Sequence, residues 1–116
     1  MVLQQTTMRI SSSNEKDEWT KPKFVMLWKE VGLCIHKGEH IRDGSGYIIS
    51  HYNSGKSILK HIKTRLLAKQ YLQRIYDEVM EDWTFTLEGW KQVSDEDKKN
   101  IKILLDKIQK EILMSL

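Results

Sequence analysis

Apolar and polar positions along this chain first follow a two-residue and then a 3.6-residue rhythm. Leu33–Lys37, Tyr47–Tyr52 and Lys56–Ile62 are short runs of aliphatic, aromatic and β-branched residues. Asp43-Gly44-Ser45-Gly46 and Asn53-Ser54-Gly55 separate them, and these residue types accept positive φ in tight reversals. Gly38 marks a bulge or break in the strand leading into the first reversal. Between Pro22 and Gly32 the apolar run Phe24–Trp28 predicts a further strand within residues 23–31, although its period does not separate a strand from a short buried helix. Beyond Thr64, an N-cap residue type, Ala68, Tyr71, Leu72, Ile75 and Val79 recur at three- and four-residue steps and predict a helix from Arg65 to Met80. A second helix starts at Ser94, where Ser94 and Asp97 form a capping pattern and Asp95 and Glu96 add first-turn charge. Its apolar stripe is Ile101, Leu104, Leu105, Ile108 and Ile112, continued by Leu113, Met114 and Leu116. Between the helices, Asp82–Thr86 alternates as a short edge strand or extended link, and Leu87–Val93 holds a helical turn interrupted by Gly89.

These elements define an α+β fold, a three- or four-stranded antiparallel β-meander packed by one helix, plus a C-terminal helix. Residues 1–21 are rich in Ser, Thr, Gln and charge without a sustained period. They predict a flexible N-terminal tail in which only Trp19 is suited to fold back. Residues 22–116 predict a single domain. With four-residue loops in both hairpins, Arg42 opposes Tyr47 and Tyr52 opposes Ser57. That register puts Leu33, Ile35, Ile41, Ile48, Tyr52 and Leu59 on one face. The other face then carries Cys34, His36, His40, Arg42, Tyr47, Ile49, His51, Ile58, Lys60 and Ile62. A slip of one residue would reverse the sorting.

Composition narrows the class. A content of 40% hydrophobic and 30% charged residues fits a globular protein. No apolar run approaches the roughly 18 residues that span a bilayer, so no membrane role is expected. The N-terminal residues lack the basic and apolar regions of a secretory signal. Cys34 is the single cysteine, which suits a reducing compartment and predicts a cytoplasmic location. The net charge of +3 is unevenly spread: residues 36–74 carry eight Lys or Arg against two acids, and residues 75–116 carry six against ten. All four histidines fall in the basic block. This asymmetry suggests an anionic partner, unless the two blocks neutralise each other in the fold or across a dimer.

Catalytic and metal chemistry find less support. Gly55-Lys56-Ser57 follows an apolar strand as a phosphate loop does, but G-x-x-x-x-G-K-[ST] requires glycine at position 50, where this chain has Ser50. Cys34, His36, His40 and His51 share a face in the register above, while His61 points away, and their spacing matches no closed zinc pattern. Cys34 within Gly32-Leu33-Cys34-Ile35 reads as a small packed hydrophobe, and not as a nucleophile paired with His36. Acids at Glu81–Asp82 and Asp95–Asp97 sit at helix ends, where capping and solvation account for them. The expectation is no enzyme, no cofactor and no metal.

The basic block interleaved with Tyr47, Tyr52, Tyr71 and histidines suits a phosphodiester backbone, since cations neutralise phosphates and exposed aromatics stack on unpaired bases. A several-stranded antiparallel sheet closed by a helix is similar to the Whirly and PUR single-strand-binding architectures. His61-Ile62-Lys63-Thr64 leading into Ala68 and Tyr71 resembles the third strand and helix of integrase-type domains. Each resemblance spans under half the chain and supplies no site residues. The resulting expectation is a small non-catalytic intracellular accessory protein that binds DNA or RNA. Lys37, Arg42, Lys56, Lys60, Lys63, Arg65 and Lys69 contact phosphates in that reading, and Tyr47 stacks. The alternative is a protein–protein interaction module, homodimeric through the C-terminal helix and the four tryptophans Trp19, Trp28, Trp83 and Trp90, with no nucleic-acid role.

Overall fold

The computed structural model describes residues 1–8, 23–38, 46–79, 89 and 91–115. Among them, five strands precede two helices: β1 (Gln4–Met8), β2 (Lys23–Trp28), β3 (Leu33–Lys37), β4 (Tyr47–His51), β5 (Ser57–Ile62), α1 (Arg65–Val79) and α2 (Asp95–Met114). The strands form one antiparallel sheet in sequence order. The class is α+β, as expected, but the meander has five strands instead of three or four.

The added strand comes from the segment expected to be a tail. Gln4 to Met8 pair with Leu27 to Lys23 and satisfy the outer edge of β2. A strand whose contribution is mostly backbone hydrogen bonding, built of Gln and Thr with no buried side chain from Gln4 to Thr7, leaves little hydrophobic period to read. Residues 9–21, including Trp19, lie outside the described residues. So do His40, Ile41 and Arg42, the Asp82–Thr86 stretch, Trp90 and Leu116.

Register departs from the four-residue-loop arrangement. Lys37, not Arg42, opposes Tyr47, and Ile35 opposes Ile49. Gly38 does not break the ladder, because its N–H donates to the Gly46 carbonyl at 3.0 Å. The displacement is an odd number of residues, so β4 is turned over relative to β3. Ile49, instead of Ile48, joins Leu33 and Ile35 in the core, while Ile48 shares the opposite face with Cys34, His36 and Ser50. At the β4–β5 ladder, Tyr47 opposes Ile62, Ile49 opposes Leu59, and Ser50 opposes Ser57. Two residues of β5, Lys60 and His61, therefore face Ile48 alone, and His61 adopts φ 62°. That bulge turns both Leu59 and Ile62 inward, although residues three apart in a regular strand point to opposite sides.

The core lies between the inward face of the sheet and the helices. Leu33, Ile35, Ile49, Leu59 and Ile62 pack with Ala68, Leu72 and Ile75 of α1 and Ile101, Ile108 and Ile112 of α2. Both helix starts match their caps: the Leu67 N–H donates to Thr64 Oγ1 at 3.1 Å, and the Asp97 N–H donates to Ser94 Oγ at 3.1 Å. Trp28 is buried at the far end of β2, its ring 5.0 Å from that of Tyr76 on α1. Arg74 of α1 pairs with Glu78 at 2.9 Å and with Glu111 of α2, joining the helices. Gln109 clamps the edge strand β5: its side-chain oxygen accepts from the Lys60 N–H at 2.8 Å, and its amide donates to the Lys60 carbonyl at 2.9 Å.

The other face of the sheet carries a smaller cluster of Val25, Leu27 and Cys34. Tyr52 packs on it and donates its hydroxyl to the Thr7 carbonyl of β1 at 3.3 Å. A bond from the end of β4 to β1 spans three strand spacings of about 4.8 Å each, so the sheet must curl to allow it.

Candidate functional site

The helices cover only part of the sheet's inward face. α1 packs along β3, β4 and β5, and α2 packs on β5. At the end where β3 finishes, β4 begins and α1 starts, a cavity of about 300 Å³ remains beside β2. Gln5, Phe24, Met26, Lys37, Tyr47 and Arg65 line it. Register explains the grouping. Met26 opposes both Gln5 and Ile35, Tyr47 opposes Lys37, and Phe24 lies two residues from Met26, so these side chains share the inward face. Arg65 is the first residue of α1, placed over that row by the short link from β5.

Gly46 sets the position of Tyr47. Its φ is 112°, and a Cβ built there would collide with the Ile62 carbonyl oxygen. Only glycine lets β4 begin this close to the end of β5.

With Val25, Ile35 and His36 completing its wall, the cavity combines two cations, a phenol, an amide and an apolar floor. Phe24 is 73% exposed, an unusual state for a phenylalanine in the second strand of a five-stranded sheet. The first turn of α1 carries no acid of its own to offset the positive end of the helix dipole or the Arg65 charge. In α2 the first turn carries Asp95, Glu96 and Asp97.

Three of the expected contact residues, Lys37, Tyr47 and Arg65, thus meet at one cavity. Lys63 follows Ile62, the partner of Tyr47, and is exposed at the same end of the sheet. Lys69 stands one helical turn after Arg65, also exposed. Lys56 lies at the β4–β5 reversal, on the order of 15 Å away along β4 at about 3.3 Å per residue. Lys60, half-buried in the bulge, is tied through its backbone to Gln109. Arg42 is outside the described residues. Elsewhere in the basic block, Arg74 is engaged by acids: the hydrogen bonds it donates to Glu111 and then to Glu78 hold its guanidinium above the ordinary value, and Arg74 holds the Glu111 carboxyl below its own.

Gln5, Phe24 and Met26 were not among the expected site residues. Gln5 lies in the expected tail, and Phe24 and Met26 stand in an apolar run whose pattern does not reveal which positions the helices leave uncovered.

The histidines and Cys34 disperse. Cys34 is fully buried and donates its thiol to the Ser50 carbonyl at 3.5 Å. Burial pushes its pKa up to about 12, which removes the thiolate a nucleophile or zinc ligand requires. His36 shares that face, with Nε2 2.7 Å from Ser50 Oγ. His51 opposes Leu33 on the other face and lies 2.8 Å from Ser54 Oγ, so the expected common face for Cys34, His36 and His51 does not form. Among the described residues, no group of three or more His, Cys, Asp or Glu side chains is placed to hold a metal ion, and no helix is long and apolar enough to cross a membrane.

Comparison with protein-family models, curated proteins and solved structures finds no match to this chain. The functional reading therefore rests on the residues themselves.

Proposed function

We propose that this chain is a non-catalytic, cytoplasmic accessory protein that binds nucleic acid at the end of the sheet where Lys37, Tyr47 and Arg65 meet. The convergence of these three residues on one cavity carries the reading. Lys37 and Arg65 supply charge for phosphate, Lys63 and Lys69 continue it along the start of α1, and Tyr47 offers a ring and a hydroxyl. The buried, protonated thiol of Cys34 fits a packing role. A fluorescent mixed-sequence oligonucleotide should bind with an affinity that falls steeply with added salt. Lys37→Glu should reduce both the affinity and the salt slope. Absence of binding at low salt would remove the proposal.

A second reading, self-association through α2, is favoured by Met114 at 87% and Ile103 at 67% exposure. Light scattering over a dilution series tests it, and a constant monomer mass would exclude it.

A further inference from the structure

We infer that the cavity beside β2 holds one unpaired nucleotide, so that the protein selects single strands over duplex. This rests on the nucleic-acid reading above and specifies the form of its ligand. The cavity, at about 300 Å³, lies at the small end of the roughly 300–1,000 Å³ typical of ligand sites. It suits one nucleotide and is too small for a folded partner.

Its chemistry is divided as a nucleotide is. Phe24 and Met26 give an apolar platform, and the exposed ring of Phe24 can be covered by the flat face of a base. Lys37 and Arg65 give a charged rim for phosphate, and Gln5 offers an amide with both donor and acceptor to a base edge. In a duplex the base faces are stacked on one another and offer none to the exposed Phe24 ring, so the site meets only the phosphates. Every base has such a face, so stacking here tolerates many sequences.

The test compares a mixed-sequence single-stranded DNA 12-mer, its RNA counterpart and the DNA duplex, by anisotropy at fixed salt. The proteins are the unaltered chain, Phe24→Ser and Lys37→Glu, each checked by circular dichroism. At least one single strand should bind tenfold or more tightly than the duplex. Phe24→Ser should lower that affinity roughly tenfold while leaving duplex binding unchanged, and Lys37→Glu should weaken all three ligands. Equal single-strand and duplex affinities, or a Phe24→Ser protein that binds the single strand normally, would overturn the inference and leave a phosphate-binding surface standing. No binding of any oligonucleotide at low salt would overturn this inference together with the reading beneath it.

Discussion

The inward face of the sheet has two halves built for different ends. Over β3–β5, Leu33, Ile35, Ile49, Leu59 and Ile62 are closed off by α1 and α2. Over β2, Phe24 stays open to solvent beside Lys37 and Arg65. The covered half gains stability from apolar area removed from water. The open half forgoes that gain and sets like charges near one another. It also starts α1 with a cation where an acid would be favoured, a cost of about 0.3–1 kcal/mol for an exposed group. The start of α2, with three acids in its first turn, shows the arrangement that stability alone prefers.

Substitutions separate the halves. Leu72→Ala, in the covered half, should cost about 2–5 kcal/mol in chemical denaturation, while the protein that remains folded binds oligonucleotide normally. Arg65→Glu should act oppositely on the two properties. It should raise stability by about 0.3–1 kcal/mol through the dipole and weaken oligonucleotide binding. A fall in both would break the comparison. The smallest effect is expected at the helix–helix contact. Arg74 lowers the Glu111 pKa in the folded state, so this carboxylate contributes stability above the ordinary carboxylate range and loses it as pH falls through the lowered value. The Tm difference between the unaltered chain and Glu111→Gln should therefore be present at neutral pH and close on acidification. A difference that persists undiminished in acid would assign the contact to packing.

Much of the fold was legible because it is encoded locally. Thr64 and Ser94 mark the starts of both helices, and the spacing of Ala68, Leu72 and Ile75 marks the face that α1 buries. β3, β4 and β5 stand between recognisable turn residues. Register was not legible, because turn chemistry at Asp43–Gly46 does not specify how many residues join β3 to β4. Nor does composition announce a bulge at His61, where tertiary packing of Leu59 and Ile62 decides the backbone. The site shows the same division. Charge bias pointed to Lys37 and Arg65 among seven cations, and the interleaved aromatics to Tyr47, but the meeting of these three depends on a register that only the folded sheet supplies. Gln5 reaches the cavity through pairing between β1 and β2 that leaves no side-chain pattern.

Gln109 stoppers one rim of the sheet, since its amide takes both backbone groups of Lys60 that an incoming strand would need. Lateral addition of another chain is thereby steered to the β1 rim, where Gln and Thr side chains flank the backbone. A molecule that can zip to a neighbour along a single rim runs out of rims after one pairing. Such an architecture disfavours fibrous stacking.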